Sequence, residues 1–405
     1  MLYITIFISL ILLSYQYDYL NRSKGKWISY SIVWIVFILV AGLRYRLGID
    51  SIRYESGYTT LPSLSELSSF DFSSARYDPA YIALNAIARS ISDKFVVMQL
   101  IESVYVNSVV FWFFKKYTKK IFFAILLYFV TLYFPYTFEV LREACAAATF
   151  LIGWKYFLNK DWTKYYILSI LCTMFHTSGF VTLLLPLLYL PGIRRFFTIG
   201  YKTIFILIGI IILGGLINIW LFDYIQAITF IEGIQEKAAV YQQGELSGSL
   251  VSYKGAIIIA MRYIIYPFLC FMIIKHQSKL KPNKFDKKYG AFELMLTMCF
   301  IFVALSIPIT IFYRYNNYFF PFAIVAICNL IYSPIRIKSI YRNFSFGIWF
   351  VLFIPCFFFN IYNLFLKYPD DSCLYDAMRY YPYSSILYPE KDEGRERLFI
   401  YHNAF

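Results

Sequence analysis

Arginine, aspartate and tyrosine are concentrated in the stretch AGLRYRLGIDSIRY, which covers residues 41–54. The planar guanidinium group binds phosphate oxygens through paired hydrogen bonds, which a lysine ammonium group cannot do. We therefore predict that Arg44, Arg46 and Arg53, with Tyr54, bind a phosphorylated substrate, and that Asp50 is a candidate catalytic carboxylate. The alternative is that the arginines extend toward the membrane interface and pair locally with Asp50.

A second group of charges lies in FEVLREACAAA, residues 138–148. Glu139 and Arg142 are three residues apart, so they share one helix face, and Glu143 lies beside them. Ionisable groups in an apolar helix are costly and usually mark function. The pattern predicts that Glu139 is catalytic and that Arg142 binds substrate, the alternative being a self-contained pair that orients the helix bundle.

His176 begins the sequence HTSG inside an apolar segment. An imidazole can act as a general base near neutral pH, so His176 is a third catalytic candidate. The alternative is a buried histidine that only forms hydrogen bonds.

A late RYNNY sequence adds Arg314 and Tyr315 to the predicted substrate contacts. Tyrosines alone would indicate a belt at the membrane interface, but the arginine and two asparagines are less typical of one. Glu102, within another apolar segment, is a weaker candidate for the same site.

The elements that must position these residues are membrane helices. Of the 405 residues, 60% are hydrophobic and only 15% are charged. Apolar runs close to the roughly 20 residues needed to cross a bilayer recur along the chain. This composition predicts an all-α polytopic transmembrane bundle of about 10–12 membrane segments with an outward-facing cavity.

A net charge of +14 is also typical of proteins that bind nucleic acid, but the basic residues of this chain are clustered in short connectors. That distribution is the positive-inside bias of membrane proteins, so we expect a lipid bilayer and no nucleic acid. With the basic connectors in the cytoplasm, residues 1–366 form the bundle and the polar segments 44–94 and 223–254 are external. Residues 367–405 form an external, aromatic-rich tail, and all the candidate groups face outside.

Residues 165–190 are an exception, because basic residues that favour the cytoplasm flank this apolar stretch on both sides. An even number of crossings is then required, and the chain is predicted to turn back near His176 as two short helices or a re-entrant hairpin. The alternative is a single long helix that places Arg194 and Arg195 outside.

Arginines, carboxylates and a histidine at an external membrane cavity suit an anionic substrate whose tail stays in lipid. A glycan linked to a polyprenyl diphosphate has these properties. Arginines would stabilise the departing diphosphate, and a carboxylate or imidazole would accept the proton of a sugar hydroxyl. This chemistry requires no cofactor and no metal, and no phosphate-binding glycine motif is present.

The motifs GLRYRLGIDSIRY, RYDPAYIALN, FEVLREACAAA, FHTSG and RYNNYF occur in this order, and the set resembles the EpsG family of Wzy-like polysaccharide polymerases. The resemblance implies an enzyme of the bacterial inner membrane that polymerises undecaprenyl-diphosphate-linked repeat units outside the membrane. The product would be a capsule, an exopolysaccharide or an O-antigen, with a chain-length regulator and a flippase as partners. The residues on motif positions are Arg44, Gly48, Asp50, Tyr54, Arg142, His176 and Arg314.

Two other functions remain open from the sequence. A flippase for lipid-linked glycans would use similar charges. Transporters, however, usually contain internal repeats and charges near the midplane, whereas this sequence shows no repeat and its charges are predicted near one face. A membrane O-acyltransferase would explain the single intramembrane histidine, but it would draw its acyl donor from the cytoplasmic side.

Overall fold

The computed structural model describes residues 1–72, 75–198, 200, 202–213, 264, 268, 287–307, 312–331 and 374–403. Within these residues the secondary structure is helical, apart from isolated β-bridges such as the one between Arg44 and Ser385. The predicted all-α class is confirmed in this part of the chain. The chain divides into two compact units, one of Met1–Leu185 and Phe357–Ala404 and the other mainly of Pro186–Cys356.

The first unit contains long helices with short helices between them. In chain order they are α1 (Leu2–Leu13), α2 (Lys26–Gly42), α3 (Ser51–Tyr58), α4 (Pro79–Ile91), α5 (Phe95–Tyr117), α6 (Ile121–Tyr128), α7 (Leu141–Asn159), α8 (Trp162–Phe175) and α9 (Val181–Leu184). π-Helical turns at Ser14–Tyr19, Phe129–Tyr133 and Pro135–Glu139 extend or connect them. Helices α3 and α4 lie in the polar segment 44–94 that was predicted to be external.

Small residues allow α7 to pack closely against α8. The alanines at 144 and 146–148 are fully buried. Two contacts show how closely the helices approach each other. The Cys172 thiol of α8 donates to the Ala146 carbonyl of α7 at 3.1 Å, and a Cβ on Gly153 of α7 would lie 3.6 Å from Leu168 of α8. Small residues at helix interfaces bring backbones together in membrane proteins.

The interface between α2 and α5 contains hydrogen bonds from polar side chains, one to the backbone and one to another side chain. Ser103 donates to the carbonyl of Ile38 at 2.9 Å, and Trp34 donates to the Ser108 hydroxyl at 3.2 Å. Such bonds satisfy polar groups that have no access to water.

The chain reverses direction at His176. Helix α8 ends at Phe175, and the short helical turns Thr177–Phe180 and α9 follow. The Tyr165 hydroxyl near the start of α8 donates to the Thr182 carbonyl at 2.6 Å. This antiparallel contact requires a turn-back, so the structure has the predicted reversal and not a single long helix.

The second unit has α10 (Pro191–Phe197), α11 (Lys202–Leu213), α12 (Lys287–Ser306) and α13 (Tyr313–Ile331) among its described residues. Helices α12 and α13 pack against each other, with Phe302 stacked on Phe319 at 5.3 Å between ring centroids. The last helix, α14 (Glu393–Asn403), belongs to the first unit.

One described helix, α5, is by itself long and apolar enough to cross a membrane, and a second span results if Thr177–Tyr189 and Pro191–Phe197 are counted together. Four other described helices are apolar but shorter, at 10–17 residues: Lys26–Gly42, Ile121–Tyr133, Lys202–Leu213 and Ala291–Ser306. The predicted external segment 223–254 and most of the spans on either side of it lie outside the described residues.

Gly179 provides a test of the turn-back. A Cβ at this position would lie 2.7 Å from the backbone carbonyl of Cys172, and backbone atoms cannot move away cheaply. We expect Gly179→Ala to destabilise the protein by about 1–3 kcal/mol, as overpacking does. The measurement is the thermal unfolding midpoint of the purified protein in detergent.

The matched control is Gly153→Ala, since a Cβ there makes ordinary contacts from 3.6 Å outward. Equal midpoints for the two variants would contradict the tight packing of the turn-back on α8.

Candidate active site

The loop between α2 and α3, residues 43–50, lies against the π-helical turn Pro135–Glu139 that precedes α7. Gly48 makes this approach possible: its φ is +90°, and a Cβ would lie 2.1 Å from the carbonyl oxygen of Phe138. Only glycine adopts this backbone conformation readily and leaves room for the neighbouring chain. The loop therefore brings Asp50 toward Glu139, and the two carboxyl groups interact electrostatically.

Arg142 in the first turn of α7 contacts the segment that begins α4. Its Nη1 lies 3.1 Å from Oδ2 of Asp78, and its Cζ lies 5.2 Å from the centroid of the Tyr77 ring. Tyr54 of α3 also forms a hydrogen bond with Arg142. A guanidinium held by a carboxylate and a ring face is fixed in direction, and its side chain remains 24% exposed.

A cluster of tyrosines surrounds this guanidinium. Tyr54 stacks on Tyr77 at 6.1 Å between ring centroids, and Tyr81 lies 5.9 Å from Tyr54 and 5.6 Å from Tyr77. Burial raises the pKa of the Tyr54 and Tyr77 phenols, and Arg142 lowers it only in part. Both phenols are therefore neutral at physiological pH and can donate hydrogen bonds to an anion.

Glu139, the predicted catalytic carboxylate, has a mixed environment. Its Oε1 lies 3.7 Å from Nη1 of Arg379, and Tyr380 and the backbone of Ile49 form hydrogen bonds with the carboxylate. The side chain is 16% exposed. Glu143, by contrast, is fully buried in α7.

His176 is buried at the end of α8. Its Nδ1 lies 2.6 Å from the Ser178 hydroxyl and accepts the Ser178 backbone N–H at 3.2 Å. The neutral ring consequently carries its proton on Nε2. Because Cys172 is opposite Ala146 in the antiparallel pair, one further turn of each helix puts His176 at the level of Arg142.

The structure differs most from the prediction at Arg44, which is fully buried. Its Nη1 donates to the Ala41 carbonyl, its Cζ lies 5.2 Å from the Phe138 ring centroid, and it interacts electrostatically with the buried Glu102. A substrate phosphate could reach it only after its surroundings moved. The physical reason is that residues 43–45 pair with the C-terminal segment (residues 374–403).

The other two arginines of the first motif have different surroundings. Arg46 forms ion pairs with Glu55 at 2.9 Å and with Glu396 of α14 at 2.7 Å. Arg53 is exposed, and its charge acts on Tyr77. Of the three, Arg53 is thus the one that is both accessible and beside the tyrosine cluster.

Arg314 and Tyr315 belong to the second unit. Arg314 is exposed, and Tyr315 stacks on Phe302 at 5.1 Å. Asn316, which is in α13 with Arg314 and Tyr315, accepts a hydrogen bond from the Cys299 thiol of α12 at 3.1 Å.

Sequence reasoning did not single out Asp78, Tyr77, Tyr81 or Arg379 as site residues. The first three lie in the RYDPAYIALN stretch, where an aspartate followed by proline is typical of a helix start. Arg379 carried a usable signal as well, since an arginine in a segment predicted to be external opposes the usual charge bias.

The model of the EpsG family matches residues 27–385, which include every site residue described above. This chain belongs to the EpsG family. EpsG proteins are Wzy-like polymerases, a family of membrane polysaccharide polymerases, and the family predicted from the ordered motifs is confirmed. No curated protein and no solved structure matches this EpsG protein.

Gly48 is the residue of this EpsG protein on which the site geometry is expected to depend most. We expect Gly48→Ala to separate the 43–50 loop from Phe138 and to break the bond from the Gly48 N–H to the Arg379 carbonyl, which is 2.7 Å long. Strain of this kind costs about 1–3 kcal/mol or more. The measurement is the rate at which protease cleaves the C-terminal segment in purified protein.

Gly192→Ala is the control, because a Cβ at Gly192 meets open space. If protease cleaves the C-terminal segment no faster in Gly48→Ala than in Gly192→Ala, the site geometry does not depend on Gly48.

Proposed function

We propose that this EpsG protein joins oligosaccharide repeat units carried on undecaprenyl diphosphate, at the outer side of the bacterial cytoplasmic membrane. The observation that carries the proposal is the cluster around Arg142 and Glu139. It combines an accessible guanidinium, two neighbouring carboxylates and neutral tyrosines. The product is a surface polysaccharide of the capsule, exopolysaccharide or O-antigen type.

In the proposed reaction the oxygen of an acceptor sugar hydroxyl attacks C1 of the donor sugar. The bond from C1 to the diphosphate oxygen breaks, and undecaprenyl diphosphate leaves with the electron pair. The hydroxyl proton passes to a carboxylate, for which Glu139 and its neighbour Asp50 are the candidates. A diphosphate is a stable anion, so it leaves without a proton if cationic groups stabilise its charge.

Arg142 and Arg53 are assigned to the diphosphate. Arg142 is directed by Asp78 and the Tyr77 ring, and Arg53 is exposed next to that ring. Tyr54 is buried and directs Arg142 through their hydrogen bond. Tyr77 is partly exposed, so its neutral phenol can donate to the substrate and its ring offers an apolar face on which a sugar ring can stack.

Arg44 and Arg46 are assigned to a different task, that of holding the 43–50 loop in place. Arg44 is buried against the Phe138 ring. Arg46 is already paired with Glu55 and Glu396. His176, which lies at the level of Arg142 along the two helices, is assigned the role of a polar anchor or a second proton acceptor. Arg314 of the second unit remains a proposed contact to the lipid-linked substrate.

The test is reconstitution of the purified protein in lipid vesicles with an undecaprenyl-diphosphate-linked repeat unit. We expect a ladder of longer glycans from the intact protein. Arg142→Ala should lower the rate about 100- to 1,000-fold, because it removes charge stabilisation from the leaving group.

Lys164→Ala is the matched control, since Lys164 forms an exposed ion pair with Asp161 and is expected to affect the rate little. Movement of the repeat unit between leaflets without any new glycosidic bond would refute the proposal and favour a flippase.

A further inference from the structure

The C-terminal segment is fastened to the first unit by backbone hydrogen bonds. The Tyr45 N–H donates to the Ser384 carbonyl and the Ile386 N–H donates to the Leu43 carbonyl, each at 2.9 Å. The Gly48 N–H donates to the Arg379 carbonyl at 2.7 Å. The glycine that positions Asp50 thus also fixes the backbone of Arg379.

The Arg379 side chain extends from this anchored backbone between two carboxylates. Its Nε lies 2.9 Å from Oδ1 of Asp376, three residues earlier, and its Nη1 lies 3.7 Å from Oε1 of Glu139. The Arg379 side chain is 22% exposed, and its positive charge acts on Glu139. The close pair with Asp376 sets the direction in which the guanidinium faces Glu139.

Other groups also affect the charge of the Glu139 carboxylate, and the Arg379 guanidinium acts against those that disfavour it. Burial of the carboxylate, the strongest effect, and the like charge of Asp50 both disfavour the charged form of Glu139, while Tyr380 and the backbone of Ile49 supply hydrogen bonds that favour it. Two adjacent carboxylates repel, and a neighbouring cation offsets that repulsion and keeps the charged form available. A proton acceptor must be both charged and correctly oriented before the reaction begins.

We propose that Arg379 is a positioning residue that orients the Glu139 carboxylate to accept the acceptor hydroxyl proton, so that the C-terminal segment completes the active site. The inference rests on the proposed function. In this step the acceptor O–H bond breaks, its proton goes to Glu139, and its oxygen bonds to C1 of the donor sugar. The bond from C1 to the diphosphate breaks at the same time, and its electrons leave with the diphosphate.

A purely structural tether is the competing explanation of the Arg379–Glu139 pair. Three backbone hydrogen bonds to the 43–50 loop already hold the segment, and Tyr3 adds a fourth bond, from its hydroxyl to the Tyr380 carbonyl at 3.0 Å. A partly exposed ion pair at 3.7 Å contributes little beyond these, typically about 0–1 kcal/mol. The pair is therefore better explained by its effect on the carboxylate than by attachment of the segment.

The first experiment measures kcat and KM for the lipid-linked repeat unit in vesicles. We expect Arg379→Ala to lower kcat about 10- to 100-fold with little change in KM, because orientation of the proton acceptor affects the chemical step. Arg379→Lys should recover part of kcat, since it restores the charge without the guanidinium fork. A raised KM with unchanged kcat would overturn the inference and assign Arg379 to substrate binding.

The second experiment combines Arg379→Ala with Glu139→Gln in a double-mutant cycle read by single-turnover rates. If Arg379 acts through Glu139, its replacement has little further effect once Glu139 is changed. An equal loss in both backgrounds would overturn the inference, as would a Glu139→Gln variant with full activity. If Glu139→Gln has no measurable rate, the kcat and KM values of the single variants decide.

Arg397→Ala is the matched control in the same segment. Arg397 forms an ion pair with Glu393 at 3.5 Å but is 72% exposed, and its replacement should leave both constants unchanged. If the intact protein forms no polymer, the proposed function fails and the inference fails with it. If the intact protein and Arg379→Ala polymerise equally well, only the inference fails.

Discussion

The contact between Gly48 and the carbonyl of Phe138 is the constraint on which the rest of the site depends. Any side chain at position 48 would collide with backbone, and the positive φ disfavours other residues as well. Because the contact exists, the 43–50 loop, the start of α7 and the C-terminal segment meet at one place. Asp50, Glu139 and Arg379 are far apart in the sequence and become neighbours through this single close approach.

The same region contains charges that contribute little to stability. Arg44 and Glu102 are both fully buried; two nitrogens of the guanidinium and both oxygens of the carboxylate have no hydrogen-bond partner. A buried charge pair recovers its desolvation cost only with good geometry and additional hydrogen bonds. A phenylalanine ring and one backbone carbonyl offset part of that cost for Arg44. The role assigned to Arg44, holding the 43–50 loop, therefore rests on its contacts with the Phe138 ring and the Ala41 carbonyl and not on a gain from its charge.

Much of the fold could be predicted from sequence because membrane helices leave a strong local signal. Helices α2 and α5 are apolar runs of the kind from which the bundle was predicted, and the basic residues on both sides of 165–190 predicted the reversal at His176. Asp50, Glu139 and Arg142 were predicted from their types and positions, and the structure brings them into one region.

What the sequence did not indicate depends on contacts between distant segments. Nothing local to Arg44 distinguishes a buried arginine from an exposed one, since its burial results from pairing with residues 384–386. Asp78 and Arg379 likewise become part of the site only because the start of α4 and the C-terminal segment contact Arg142 and Glu139. Non-local pairing of this kind cannot be inferred from spacing along one helix.

The distribution of charge within the site matches the needs of a transfer from diphosphate to hydroxyl. That reaction releases one proton from the acceptor and moves negative charge onto a leaving group that needs no proton. It therefore calls for one proton acceptor and a separate cationic region. Arg142 is held by Asp78 and Tyr54, Glu139 faces Arg379, and Asp50 acts on both Glu139 and Tyr54. In the proposed mechanism, Arg379 of the C-terminal segment pairs with Glu139, so that the carboxylate assigned to the proton does not depend on Arg142, which is assigned to the diphosphate.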